Sequence, residues 1–290
     1  MASMKDIKRR RVSVQSTQQI TKAMKLVSTA KLQKARSRAE DSKAYFDCMY
    51  KTMTSLLAKA GNVNHPFVQS NGCPNKAVVV VTSNRGLAGG YNSNIVKLIT
   101  GGDFDKETTR IYAVGGKGLE LLKHRGYNIV EDYSEAIDAP TYEDVKVITD
   151  RLLNDYINGE IGEIYLAYTF FKNTVSHIPT LMKVLPVEAN EAAGEEEEVS
   201  AIDKITPMNF EPNEEEAIKL LVPKYVSSIL YGAFVEAVAS ENGARMQAMD
   251  SATSNAEEII NDLELKYNRA RQGAITNELT EIIAGADAIG

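Results

Sequence analysis

The apolar positions of the chain fall into three regimes. From Leu32 the residues Leu32, Ala35, Ala39, Ser42, Phe46, Met49, Met53, Leu56 and Ala60 follow a 3-4 spacing with one polar member. That is a sustained heptad seam on one helix. No Pro or Gly interrupts residues 3–60, and helix formers abound. Upstream the same register passes through Ser28, Lys25, Thr21 and Gln18, where its apolar character fails. A second stripe, Ile20, Ala23, Met24, Val27 and Ala30, is expected to take over as the buried face. Gly61-Asn62 and Pro66 close the helix.

The texture then shortens. Lys76 to Thr82 is a nearly continuous β-branched run, as in a strand buried on both faces. A glycine-rich turn, Ser83 to Asn92, leads into a helix around Ile95 to Ile99. Arg110 to Val114 predicts a second strand, followed by Gly115-Gly116-Lys117-Gly118 and a helix through His124. Tyr127 to Val130 is a third strand, Tyr142 to Ile157 a helix, and Glu163 to Phe171 and Thr174 to Val187 two further strands. Alternation of this kind implies a small α/β domain with a mostly parallel sheet.

From Asn213 the helical period returns. Ile218, Val222, Tyr225 and Ile229 open a 4-3-4 seam. Met246, Met249, Thr253, Ala256, Ile260, Leu263, Tyr267, Ala270 and Ala274 continue at 3-4 spacing, before Ile275, Leu279, Ile282 and Ile283. Pro223 falls in the first turns, where it costs a kink and not the helix. The expected parts are therefore a helix over 1–60, a head over 61–187, an acidic loop over 188–212 and a helix over 213–290.

At about 1.5 Å per residue, helices over 3–59 and 213–284 are on the order of 85 and 105 Å long, too long for an α/β domain of this size to enclose. Each seam needs cover, and the nearest cover is the other helix. One enters and one leaves the same domain, so the pairing should be antiparallel. If Ala60 lies beside Asn213, about a dozen C-terminal residues extend beyond the pair. That tail, Thr276 to Gly290, carries no basic residue and should enter an apolar socket in a partner. A slim shaft with a compact head is an axle or a tether, not a substrate pocket.

Charge sharpens the division. The net charge is -6, yet residues 1–60 hold 14 basic against 4 acidic side chains, leaving 19 against 35 for the remainder. Residues 188–216 alone hold 11 acidic residues against one Lys. One end of the chain is thus suited to an acidic partner. Two cysteines exclude a disulfide framework or a four-sulfur zinc site. The longest uninterrupted apolar runs are far shorter than a membrane span, and no apolar stretch follows Met1 to Asp6 as in a signal peptide.

Candidate chemistry is sparse. Gly86, Gly89 and Gly90 follow a strand but fit neither dinucleotide nor P-loop spacing. Gly115, Gly116 and Gly118 come no closer, so tight βα turns account for both clusters. His65, His124 and His177 lack metal-ligand spacing and read as exposed or packed. Cys48, beside a seam position, reads as a small packed residue. No carboxylate stands in an apolar context that argues a shifted pKa. No catalytic group, cofactor or metal is expected.

Four segments carry a resemblance: Ile20 to Leu32, Thr82 to Asn92, Ala244 to Thr253 and Tyr267 to Ile282. Together they resemble the gamma subunits of F-type ATP synthases, in order and over essentially the whole chain. The resemblance implies a long antiparallel N-/C-terminal coiled coil with a small Rossmann-like α/β head, acting as the central rotor stalk. It implies alpha and beta subunits of the catalytic hexamer, epsilon and the membrane c-ring as partners, with peripheral attachment on the cytoplasmic side of a plasma membrane. The expected role is to transmit rotation that couples proton flow to ATP synthesis and hydrolysis, although no residue chooses between H⁺ and Na⁺. By motif match the contacts with alpha and beta fall on Lys22, Met24, Lys25, Arg245, Arg271, Gln272, Thr276 and Glu278.

Two departures accompany it. Ala88 stands where the motif often has Cys, a neutral packing change. The acidic stretch lies where chloroplast relatives carry a cysteine pair and has none, so no thiol switch is expected there; the stretch reads as a solvated loop. The rival reading, a basic coiled coil that binds nucleic acid, uses the same first helix, but its basic cluster lacks interleaved aromatics and the C-terminal seam lacks a second basic arm. A nicotinamide-dependent enzyme would require the head to bind a dinucleotide.

Overall fold

The computed structural model describes residues 4–59, 66–187 and 214–287. Helix α1 spans Met4–Lys59 and helix α5 spans Glu214–Asp287. Between them lie β1 (Lys76–Val81), α2 (Tyr91–Thr100), β2 (Thr109–Val114), α3 (Gly116–His124), β3 (Asn128–Asp132), a 3₁₀ turn (Ser134–Ile137), α4 (Tyr142–Ile157), β4 (Glu163–Phe171) and β5 (His177–Leu185). Two compact units result: Met1–Thr29 with Arg245–Gly290, and Ala30–Ala244. The acidic stretch over 188–212, Gly61-Asn62 and His65 lie outside the described residues.

The larger unit is built on a five-stranded sheet of order β3-β2-β1-β4-β5. β3, β2, β1 and β4 run parallel and β5 closes the edge antiparallel to β4. Val78 to Val81 are wholly buried, as a central strand with both faces covered requires. Val78 and Val80 pack under α2 and α3 with Ile95, Ile99 and Leu122. On the other face Val79 and Val81 join Ile148 and Leu152 of α4 with Val226, Leu230 and Phe234 of α5. In α5 every residue from Tyr225 to Leu230 is buried, so this stretch is a core helix with no polar face. The helix runs through Pro223, whose carbonyl accepts from the Ser227 hydroxyl at 2.8 Å. One 18-residue window of α5 reaches a mean hydropathy of 1.3, but 61% of it is buried inside the protein.

Capping agrees with sequence where side chains provide it. Thr141 and Asp144 form a reciprocal capping box at the start of α4. One helix face carries a charge that the sequence reading overlooked. Asp155, 4% exposed, accepts from the Tyr112 hydroxyl at 2.5 Å and pairs with Arg151 at 3.2 Å. Burial, then the bond to Asp155, push the Tyr112 phenol well above its usual range. The expectation that no carboxylate sits in an apolar setting is thereby corrected. Asp155 is tolerated because its two partners stand on β2 and one turn back on α4. The available signal was the i, i+4 spacing of Arg151 and Asp155 on the face that also holds Leu152 and Tyr156.

The glycine clusters lie at the carboxyl ends of β1 and β2, where open α/β sheets bind ligands. Here the Ser83, Gly116 and Gly118 donors are already committed. The Thr82 hydroxyl accepts from Gly118 N–H at 2.9 Å and donates to the Gly115 carbonyl. Asn84 Oδ1 accepts from Gly116 N–H, and Ser83 N–H donates to Asn92 Oδ1. α5 closes the edge further: Tyr91 donates to the Ala237 carbonyl and Ser240 to the Thr169 carbonyl. Gly115 has φ +119°, and a Cβ there would lie 2.1 Å from the Thr82 carbonyl oxygen. Gly115 and Gly118, where a Cβ would lie 2.1 and 2.5 Å from Thr82 atoms, serve close packing.

At the far end of β5, His177 packs against Gly243 of α5 so closely that a Cβ on residue 243 would lie 2.4 Å from Nε2. Burial holds the His177 pKa below its usual value. Two outcomes follow from this packing. Gly115→Ala should destabilise the larger unit by at least about 2 kcal/mol in denaturant unfolding, whereas Gly86→Ala, with open space at its Cβ, should be near neutral. For His177, the neutral ring contributes stability that is fully present above the unfolded value of about 6.5. That contribution is lost as pH falls from there through the lowered folded pKa. His177→Leu should flatten this part of the stability–pH curve; an unchanged slope would count against the assignment.

Candidate functional site: the antiparallel helix pair

In the smaller unit, residues 4–29 of α1 lie antiparallel to α5. Three pairs fix the register: Thr21 Oγ1 to Thr253 Oγ1 at 2.8 Å, Lys25 Nζ to Asp250 at 2.6 Å, and Arg11 to Glu264 at 3.4 Å. The residue numbers of these pairs total 274 or 275, so the first described residue, Met4, comes level with about residue 271. From Arg271 to Ala284 every residue is exposed. The tail expected from helix length is thus present, with Ile275, Leu279, Ile282 and Ile283 each at least half exposed.

The C-terminal seam buries as its spacing predicted. Met249, Ala256, Ile260 and Leu263 are buried, Met246, Thr253, Tyr267 and Ala270 half-buried, and Ala274 exposed. The N-terminal seam does not do what its apolar residues suggest. Thr21 and Ser28 are buried in the register of Leu32 and Ala35, while Ile20, Leu26 and Val27 are 60%, 66% and 58% exposed. The predicted change of buried face is therefore corrected: Ile20, Ala23, Val27 and Ala30 face outward, and only Met24 of that stripe is half-buried.

The physical reason is helical phase. An α-helix drifts only about 20° per heptad against a 3.5 repeat, so Leu32 and Ala35 dictate which side faces inward a few turns earlier. Of the polar residues on that side, Thr21 and Lys25 find partners across the pair. Thr21 meets Thr253, and each hydroxyl also lies within reach of its own helix, at Gln18 and Met249 carbonyls respectively. Sequence reasoning failed by requiring apolar side chains at every seam position.

The residues matched to partner contacts divide by environment. Lys22, Arg271, Gln272, Thr276 and Glu278 are exposed. Met24 and Arg245 are half-buried, and Lys25 is held by Asp250 on the helix pair itself. The Thr276 hydroxyl donates to the Gln272 carbonyl within α5. Cys48 is exposed, contrary to the packed position expected of it; standing one residue before Met49, it turns off the seam. Cys73 is partly buried, with Sγ 3.5 Å from the Glu160 carbonyl. His124 is exposed. Among the described residues no group of three or more His, Cys, Asp or Glu is placed to hold a metal ion.

Known proteins share this arrangement. A family model described as ATP synthase matches residues 3–289. The chain is 60% identical to the ATP synthase gamma chain of Lachnoclostridium phytofermentans over the full length of both. It is 40% identical to a gamma chain of Acetobacterium woodii described as sodium ion specific, covering 99% of each. Among solved structures, a chain of the Euglena gracilis mitochondrial ATP synthase superposes with a TM-score of 0.69 at 18% identity, over 99% of this chain and 94% of that one. A chain from the central stalk and c-ring of the Tetrahymena thermophila mitochondrial enzyme gives 0.57 at 22% identity, over 80% and 99%. With a relative this close along its entire length, the chain belongs to the ATP synthase gamma-chain family.

Proposed function

We propose that the chain is the rotating central stalk of an ion-translocating ATP synthase and carries no catalytic group of its own. The observation that supports this best is the outward apolar surface of the helix pair. Ile20, Leu26 and Val27 on α1, and Ile275, Leu279, Ile282 and Ile283 on α5, are exposed. Exposed apolar side chains in such numbers on a slender pair call for cover by a partner.

In this reading the pair sits within the ring of alpha and beta subunits, and the helical tail enters an apolar sleeve. Exposed Lys22 faces an acidic lever of beta, with Met24 and Lys25 beside it. Arg245, Arg271, Gln272, Thr276 and Glu278 meet hexamer loops through hydrogen bonds that exchange as the stalk turns. The α/β head over 61–187 meets the c-ring and epsilon, which places the chain at the cytoplasmic face of a plasma membrane without a membrane-crossing role. The stalk acts by differential contact: each orientation favours one open or closed state of each beta subunit, and torque is that difference in free energy. Few, weak polar contacts suit this role, since a tight grip would stall rotation. The proposal keeps the proton as coupling ion; a Na⁺ requirement for ATP hydrolysis by the membrane-bound complex would replace it with sodium.

Purification of the full chain with alpha and beta subunits tests the assignment. A stoichiometric, ATP-hydrolysing assembly is expected, and no association would reject it. Truncation after Ala270 should leave the helix pair's circular dichroism per residue intact but lower affinity for the hexamer or torque. Unchanged affinity and torque would remove the socket from the account. Met24→Lys should add a grip on the acidic lever and impair ATP-driven ion pumping more than ATP hydrolysis. Equal loss of both activities would sink that contact.

A further inference from the structure

Met24 stands between two lysines in different situations. Lys22 is exposed and makes no ion pair among the described residues. Lys25 falls in the register of Thr21, Ser28 and Leu32, the inward side of α1, and is half-buried. Its ammonium crosses to α5 and meets Asp250 Oδ1 at 2.6 Å. The Lys25 and Asp250 side chains are 39% and 58% exposed, so a partner can reach both.

A pair this exposed adds little to stability, because water screens it and two side chains must be ordered to make it. Alignment does not rest on it alone. Thr21 meets Thr253 one turn away, and Met249, Ala256, Ile260 and Leu263 are buried along the same seam. What the pair does govern is charge. From Ile20 to Ser28, and across from them from Gln247 to Ser254, the charged residues are Lys22, Lys25 and Asp250, a net of +1. Without the Asp250 charge that balance becomes +2, and the Lys25 ammonium is released. Both changes strengthen attraction to an acidic surface.

We propose that Asp250 is a positioning residue for rotation. By holding Lys25 across the helix pair, it leaves Lys22 to meet an acidic segment of the partner and keeps that grip weak enough to exchange. This rests on the stalk reading above and adds that the strength of the grip on α1 is set by α5.

The test is made on the membrane-bound complex assembled with the full chain, recording ATP-driven ion pumping and ATP hydrolysis together. Asp250→Asn should assemble and hydrolyse ATP, but pump fewer ions per ATP by about twofold or more, an effect within reach of one surface charge. Asp250→Glu, which keeps the bridge, should pump as the parent does. Adding Lys25→Gln to Asp250→Asn restores the balance of +1 and should return most of the lost pumping. A merely structural Asp250 would not be rescued by removal of its partner. An unchanged ratio of pumping to hydrolysis in Asp250→Asn, its failure to assemble, or a double variant no better than the single would each overturn the proposal. Failure of the parent chain itself to assemble or to turn would instead reject the stalk reading, and this inference with it.

Discussion

The register of the antiparallel pair is the constraint on which the stalk unit depends. It is set by Thr21 against Thr253 and Lys25 against Asp250, with the C-terminal seam of Met249, Ala256, Ile260 and Leu263 buried beside them. Once this register holds, helical geometry leaves no freedom in what faces outward. Ile20, Leu26 and Val27 are presented because Thr21 and Ser28 take the buried face, and the last turns of α5 lie beyond the level of Met4. Polar contacts at a seam stabilise less than Leu pairs would, but they specify alignment, as single polar residues do in other coiled coils. A shaft that must transmit load needs alignment at least as much as stability.

The larger unit solves a different problem. A parallel sheet with glycine-rich βα turns is the usual site of nucleotide chemistry, and here that edge is closed from within. Thr82, Ser83 and Asn84 engage the loop amides and Asn92, and α5 lies across the edge through Tyr91 and Ser240. At the sheet's opposite edge, burial alone would raise the Glu163 pKa, but Lys183, Tyr165 and Lys76 outweigh it and hold the carboxyl below its usual value. That is an ion-pair network suited to structure and not to proton transfer.

Much of this was legible in the sequence, and the misses have a common cause. Strand β4 and helix α4 match their sequence limits because burial, β-branching and a capping box agree there. The antiparallel tail followed from helix length alone. The inverted face of α1 was not legible, because hydrophobic periodicity treats Thr21 and Ser28 as solvent-facing and cannot see Thr253 across the pair. Cys48 failed for a similar reason: one residue along a helix turns about 100°, enough to leave the seam. Asp155 was hidden because a buried carboxylate is recognised by its partners, and Tyr112 lies 43 residues away. Local pattern gives faces; long-range hydrogen bonds decide what those faces tolerate.

The central claim is mechanical: this chain turns while the hexamer around it catalyses. It is tested most directly by attaching a visible probe to the exposed Cys48 or to an exposed position of the sheet unit in an immobilised complex with alpha and beta subunits, and recording its angle during ATP hydrolysis. The account predicts unidirectional stepping locked to ATP turnover. Sustained hydrolysis with the probe at a fixed angle would contradict it.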